Sequence, residues 1–126
     1  MQKLQFEKKW DKTISDQDRS KIEEVFDETQ ESDEEFEAVT VWHANNHKGE
    51  LLVTALIHNR SDQTVLFRDT DVIYKTLDEQ IAERTFDIPA LQIPPKTSMP
   101  WTFIFPDFTL EDSNLGLLKI TNYVKK

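Results

Sequence analysis

Residues 93–106 read Ile93-Pro94-Pro95-Lys96-Thr97-Ser98-Met99-Pro100-Trp101-Thr102-Phe103-Ile104-Phe105-Pro106. Within this stretch the large aromatic residues Trp101, Phe103 and Phe105 recur at every second position. A period of two is typical of a strand with one covered face. Prolines that flank such a run favour sheet edges and corners. The stretch therefore predicts a strand of an all-β fold, and we expect Trp101 and Phe103 to be buried with Val53 and Ile57.

Most of the chain after residue 36 consists of similar short runs separated by polar turns. Strands are expected at 36–43, 51–57, 64–67, 71–77, 81–86, 101–105 and 117–124, with an edge strand or extended arm at 3–10. In the first run, Phe36, Ala38, Thr40 and Trp42 should share one face. Turn signals about every 8–12 residues between short strands indicate an antiparallel sandwich. We therefore predict a mainly β protein: one domain over residues 1–126, an antiparallel immunoglobulin-like β-sandwich of seven or eight strands with one N-terminal α-helix.

That helix is expected at about residues 16–28. Ser15 can cap its first turn, and Asp18 lies three residues later, as a weak partner in a capping box. Ile22, Val25 and Phe26 follow at i, i+3 and i+4 and form one apolar stripe. The stripe predicts that the helix packs against the sandwich.

An acidic segment follows the helix. Seven carboxylates and no basic residue lie between residues 27 and 37: Asp27, Glu28, Glu31, Asp33, Glu34, Glu35 and Glu37. Like charges repel, so we expect an exposed, mobile loop at about 29–35. Asp33, Glu34 and Glu35 are the candidate interaction residues, because clustered charge can steer a basic partner. The competing interpretation is that the loop only keeps the protein soluble.

Overall composition excludes several function classes. The net charge is −9, and the lysines and arginines are scattered, which argues against nucleic acid and anionic membranes as partners. The sequence has no cysteine, so disulfides and thiolate chemistry are excluded. We see no signal peptide and no apolar run long enough to span a bilayer, and we expect a cytoplasmic protein.

The histidines are the best candidates for metal ligands. His43 and His47 lie four residues apart with Glu50 nearby, and His58 could approach His43 across a hairpin. The pattern lacks a full ligand set with metal spacing, so we predict no metal site. It also lacks a nucleophile elbow and a glycine-rich phosphate loop. We therefore predict no catalytic residues and no cofactor.

Three tryptophans remain to be explained. Trp10, Trp42 and Trp101 could line a ligand groove. Large aromatic residues on alternating strands more often belong to the core. Both interpretations stay open from the sequence.

Five segments of the chain together match a known family pattern: residues 51–59, 65–67, 82–87, 93–95 and 98–106, with Trp10, Ile14, Ser15, Gln17 and Phe26 upstream. They resemble the bacterial SLAP domain, named after S-layer assembly proteins encoded with the accessory Sec secretion system. The similarity covers about residues 4–106. The family's proline-rich segment before the first long strand is replaced here by Glu31-Ser32-Asp33-Glu34-Glu35. Family proteins often carry two copies of the domain, and this chain has one.

The resemblance implies a Firmicutes protein with an interaction domain linked to the cell envelope. We expect a non-enzymatic protein–protein interaction module, an adaptor in S-layer assembly or accessory secretion. The alternative is a small-ligand-binding β-sandwich, and a distant alternative is a metal-dependent enzyme. The expected partner is another protein. The sequence indicates neither its identity nor the oligomeric state.

Overall fold

The computed structural model describes residues 2–111 and 114–126. This part of the chain forms eight strands and two helices. In chain order they are β1 (Lys3–Leu4), α1 (Lys8–Thr13), α2 (Asp16–Thr29), β2 (Phe36–Asn45), β3 (Leu51–Asn59), β4 (Val65–Lys75), β5 (Ile81–Ile93), β6 (Thr97–Phe105), β7 (Leu117–Thr121) and β8 (Val124–Lys125).

The strands form two sheets. The first has the order β1-β6-β3-β2, and the second has the order β5-β4-β7, with β8 also paired to β4. The pairs are antiparallel except β1 with β6, which is parallel. The mainly β class with eight strands in two sheets is confirmed, while the immunoglobulin-like detail stays a prediction.

The main core lies between the sheets. Phe103 of β6 is fully buried, and its ring centroid lies 5.2 Å from that of Phe86 on β5 and 6.0 Å from that of Phe67 on β4. Val53 and Ile57 of β3 belong to the same cluster and are also fully buried. The predicted burial of these three β3 and β6 residues is confirmed.

Trp101 differs from this prediction because it is only partly buried. Trp101 lies on β6 opposite Ala55 of β3, beyond the two β6 residues with which β1 pairs, Thr97 and Ser98. Within the described residues, that edge of β6 therefore has no neighbouring strand. The ring of Trp10 covers part of it instead, with the two centroids 6.5 Å apart.

Helix α2 confirms the helix predicted at residues 16–28. The Ser15 hydroxyl accepts a hydrogen bond from the backbone N–H of Asp18 (3.1 Å) and so caps the first turn. Ile22 and Val25 are buried in a second apolar cluster with Val41 and Leu56. The helix thus covers the outer face of the first sheet.

Helix α1 was not predicted. Residues 3–10 were expected to be extended, but only Lys3–Leu4 form a strand and Lys8–Thr13 are helical. The Glu7 carboxylate accepts hydrogen bonds from the backbone N–H groups of Lys9 (2.9 Å) and Trp10 (3.4 Å). This cap satisfies donors that the short helix leaves open. The expectation of a single N-terminal helix is therefore wrong.

Some predicted strand limits are also wrong. The runs at 64–67 and 71–77 form one strand, β4, whose pairing with β5 is irregular between Phe67 and Thr70. Asp69 lies in this irregular part with φ +48°. Pro100 lies within β6, opposite Leu56, and does not flank the strand.

Strand β2 contains a β-bulge that changes which side chains face the core. Thr40 pairs with Ala55, but Trp42 pairs with Thr54, so Val41 is the extra residue. A bulge reverses the alternation of faces beyond it. Phe36 and Ala38 accordingly contact the main core, whereas Trp42 packs in the cluster under the helices. The prediction that Trp42 shares the face of Phe36, Ala38 and Thr40 is wrong for this reason.

Gly116 offers a sharp test of the packing at the start of β7. A Cβ atom there would lie 2.9 Å from the backbone carbonyl carbon of Lys75 and closer still to its oxygen. We expect Gly116→Ala to lower the free energy of unfolding by about 2 kcal/mol, because rigid backbone must shift. Urea denaturation measures this loss. Gly49→Ala is the control: Gly49 has φ +76° and open space around it, so only backbone strain of about 1 kcal/mol is expected. Equal losses for both variants would contradict the packing argument.

Candidate functional site

The predicted acidic loop lies at residues 30–35, between α2 and β2, and Asp33, Glu34 and Glu35 are exposed. Asp27 and Glu28 belong to α2 instead. The predicted exposure is confirmed. The mobility of the loop stays a prediction.

Arg60 holds both ends of this loop. Its guanidinium donates hydrogen bonds to the backbone carbonyls of Thr29 (2.6 Å), Gln30 (3.0 Å) and Glu34 (2.9 Å). It also forms an ion pair with Glu37 at 3.0 Å. A single basic residue, from the turn after β3, therefore organises a segment that contains no base of its own.

Other cations also lie against the loop. Lys125 pairs with Glu35 at 2.6 Å, and the hydrogen bond raises the pKa of Lys125. A surface hollow of about 760 Å³ is lined by the loop, Gln2, Arg60 and Lys96. Among the described residues, Glu31, Asp33 and Glu34 form no ion pair. These three carboxylates carry the unpaired charge of the loop.

If the loop steers a basic partner, Asp33→Asn with Glu34→Gln should slow association mainly through the association rate constant. The difference from wild type should shrink near 1 M salt, where the Debye length is about 3 Å. Stopped-flow binding of the partner protein measures both effects. Asp78→Asn with Glu79→Gln is the control, since it removes the same charge from the exposed turn between β4 and β5, outside the acidic loop. Equal low-salt rates for the loop variant and wild type would leave the solubility interpretation.

The structure separates the histidines. His43 pairs with Val53 near one end of the β2–β3 hairpin, and His58 pairs with Glu37 at the other, so the expected approach of His58 to His43 is wrong. No group of three or more histidine, aspartate or glutamate residues within 2–111 and 114–126 could hold a metal ion. The predicted absence of bound metal remains to be tested by elemental analysis of dialysed protein.

His43 forms a structural contact between the two sheets. Its Nδ1 lies 2.7 Å from the hydroxyl of Tyr74 on β4. That hydroxyl also accepts a hydrogen bond from the backbone N–H of Gly116 (2.7 Å). Burial raises the pKa of Tyr74, so the phenol keeps its proton and can donate to the imidazole.

His58 lies in a buried chain of hydrogen bonds. Its Nδ1 is 2.6 Å from the hydroxyl of Ser98, and its Nε2 is 2.7 Å from the hydroxyl of Thr29. Thr29 donates its proton to the carbonyl of Val25 (2.7 Å), and Ser98 accepts from Gln2 (3.0 Å). Because the Thr29 hydroxyl donates to Val25, the Nε2–H of His58 donates to Thr29, and Nδ1 of a neutral imidazole accepts from the Ser98 hydroxyl. Burial lowers the pKa of His58, which favours this neutral form. His58 thus joins α2 to β3 and β6.

A groove lies between the helices and the outer face of the first sheet. It has a volume of about 320 Å³ and opens to solvent. Its lining residues come from the end of α1, the start of α2 and strands β2, β3 and β6: Trp10, Thr13, Ile14, Asp18, Trp42, Ala44, Leu52, Thr54 and Thr102. We call this site the tryptophan groove.

Two local features place the aromatic rings there. The β2 bulge turns Trp42 to the outer face, and the Glu7 cap holds the turn of α1 that carries Trp10. Both rings are partly buried. Trp101 does not line the groove but supports Trp10 from the side. The structure therefore brings two of the three candidate tryptophans into one concave site.

The comparison with known families agrees with the resemblance in the sequence. A family model described as the SLAP domain matches residues 4–126. The chain belongs to the SLAP domain family. No curated protein and no solved structure matches it. The match extends to the C-terminus and so includes β7 and β8, beyond the segments in which the resemblance is visible by eye.

This SLAP domain contains the tryptophan groove and the acidic loop on different parts of its surface; the two sites have no lining residue in common. No helix of the described residues is long and apolar enough to cross a membrane. The two sites present aromatic rings, threonine hydroxyls and carboxylates.

Proposed function

We propose that this SLAP domain is a non-enzymatic protein-interaction module, an adaptor in cell-envelope assembly or accessory secretion that works in the cytoplasm. The observation that carries the proposal is the tryptophan groove, together with family membership. Tryptophan is enriched at the energetic centres of protein interfaces, because one side chain supplies a large contact area. Trp10 and Trp42 keep part of that area available.

A serine–histidine pair with the distance of an activated nucleophile lies where it is unsuited to catalysis. Ser98 and His58 are 2.6 Å apart, as in a hydrolase. Both residues are fully buried, and the second imidazole nitrogen contacts a threonine hydroxyl rather than a carboxylate. A substrate would have no access to this serine, and the imidazolium would lack a stabilising partner. The pair is better explained as a structural link.

A small-ligand-binding function is the second candidate. The tryptophan groove has the size at which such sites begin, about 300 Å³, and combines apolar walls with a few polar groups. It differs from an enclosed ligand pocket in being open to solvent along the helix–sheet junction. This shape suits a protruding side chain of a partner better than an enclosed molecule.

Blocking the groove distinguishes these functions. Ala44 is exposed and lines the groove, so Ala44→Trp should fill it. Ala90→Trp, at an exposed position of β5, is the matched control. Partners are cross-linked to the protein in lysate of the native host and identified by mass spectrometry. Each partner is then purified, and its affinity for wild type and for both variants is measured by calorimetry. We expect Ala44→Trp to weaken binding at least about tenfold, as loss of an interface centre does, and Ala90→Trp to have no effect.

Two outcomes would contradict the proposal. Equal affinity of the partner for wild type and Ala44→Trp would remove the groove from the interface. A small molecule that copurifies with wild type in native mass spectrometry and is lost in Ala44→Trp, with no groove-dependent protein partner, would favour the ligand-binding function.

A further inference from the structure

The charge and aromatic character of the tryptophan groove specify what it can hold. Its lining contains two indole rings and a single charged group, the carboxylate of Asp18. Cations are attracted both to the face of an indole ring and to a carboxylate. We infer that the groove receives the side chain of a lysine or arginine from a polypeptide partner. This inference rests on the proposed protein-binding function and names the chemistry of its partner.

Asp18 is available for such a contact. Its backbone N–H is used by the Ser15 cap, but its carboxylate forms no ion pair or hydrogen bond among the described residues. It lies in the first turn of α2, whose positive partial charge offsets part of its field. The remaining attraction is therefore modest, and selectivity for a cation should be severalfold rather than absolute.

The chain itself shows the same recognition beside the groove. The guanidinium carbon of Arg19 lies 4.5 Å from the centroid of the Phe6 ring, and its Nη2 lies 2.9 Å from Oδ1 of Asp11. An aromatic face and a carboxylate thus hold one cation of this chain already. Because Arg19 is engaged there, it does not neutralise Asp18.

The tryptophan groove is also preformed, since its aromatic rings are positioned before a ligand binds. Trp10 is fixed by the capped turn of α1 and by the ring of Trp101, and Trp42 is fixed by the bulged strand. The hydroxyls of Thr54 and Thr102 bond to each other (2.7 Å) on the groove floor. An incoming cation therefore meets positioned rings and one carboxylate, and little has to be reordered.

Two peptides that differ only in charge provide the probe. Acetyl-Leu-Arg-Leu-amide carries the cation, and acetyl-Leu-citrulline-Leu-amide has nearly the same shape without it. Each is titrated into the full chain while the indole Nε1–H signals of the tryptophans, assigned from Trp→Phe variants, are followed by NMR. We expect the arginine peptide to shift the signals of Trp10 and Trp42 saturably. It should bind about fivefold more tightly than the citrulline peptide, as a partly desolvated cation–π contact predicts.

Asp18→Asn should lower the affinity for the arginine peptide about twofold to threefold, which is part of the fivefold preference, and leave that for the citrulline peptide unchanged. Asp78→Asn is the matched control, because it removes the same charge from the exposed turn between β4 and β5, outside the groove. We expect it to leave both affinities unchanged. A change equal to that of Asp18→Asn would show that only the overall charge of −9 attracts the peptide, and would overturn the inference.

Equal affinity for the two peptides, or no shift of the Trp10 and Trp42 signals, would also overturn it. These results are distinguishable from failure of the proposed function. If Ala44→Trp abolishes binding of the purified partner while the peptides are not discriminated, the groove binds protein but does not select a cation.

Discussion

Phe103→Ala is expected to lower the free energy of unfolding by about 3–5 kcal/mol, the usual cost of removing a buried phenylalanine ring. Phe103 is fully buried between the sheets, and rings from β4 and β5 contact it. Strand β3 on one side and the second sheet opposite hold the surrounding backbone in place. The cavity can therefore collapse only partly, and the loss should lie in the upper half of that range.

Trp101→Ala provides the comparison, since its side chain is larger but only partly buried. We expect Trp101→Ala to lower the free energy of unfolding by about 2 kcal/mol, because the loss depends on the buried area rather than on the size of the ring. Urea denaturation of both variants and wild type, with unchanged m-values, measures the difference. A larger loss for Trp101→Ala than for Phe103→Ala would mean that the open edge of β6 contributes more than the core between the sheets.

The fold was largely predictable because its main signals are local. The run from Leu51 to Ile57 predicted a strand, and β3 forms there, between β6 and β2. Ser15 and the stripe at Ile22, Val25 and Phe26 predicted α2. Helix α1 was missed because it is short and polar, and because glutamate, the residue that caps it, is not among the preferred N-cap types.

The tryptophan groove could be predicted only in part. The three tryptophans were recognised as candidates, but their grouping depends on the bulge between Thr40 and Trp42. No residue in that strand marks a bulge, since it contains neither glycine nor proline. One signal was present: Val39 and Val41 are apolar as well as Phe36 and Ala38, which indicates a strand covered on both faces. Asp18 was interpreted only as part of a helix cap.

The role of His58 could not be predicted, because its partners come from distant parts of the chain. Thr29 lies on α2 and Ser98 on β6, and both hydroxyls are directed by further acceptors and donors. Burial first, and then the nearby charge of Arg60, lower the pKa of His58 from 6.5 to about 4. A proton on Nδ1 would also leave the Ser98 hydroxyl without its acceptor. The native state therefore favours neutral histidine.

This shift predicts how stability depends on pH. Above about pH 6.5, His58 is neutral in both the unfolded and the native state. Its contribution to the free energy of unfolding is then fully present. Between pH 6.5 and pH 4 the unfolded chain takes up a proton that the native state does not, so stability falls with pH. At about 1.4 kcal/mol per pKa unit, the total loss by pH 4 is about 3 kcal/mol.

His58→Gln separates this loss from the titration of carboxylates, which affects both proteins equally. Glutamine can accept from Ser98 and donate to Thr29 but does not titrate. Urea denaturation should show that His58→Gln is less stable than wild type by a smaller margin at about pH 4.5 than at about pH 7. We expect the two margins to differ by about 2–3 kcal/mol. His47→Gln, at an exposed position, should retain the pH dependence of wild type. If His58→Gln does not fold, the imidazole of wild type can be titrated directly by NMR in the native state. A midpoint near 6.5, the ordinary value, would show that the buried network does not disfavour the charged form.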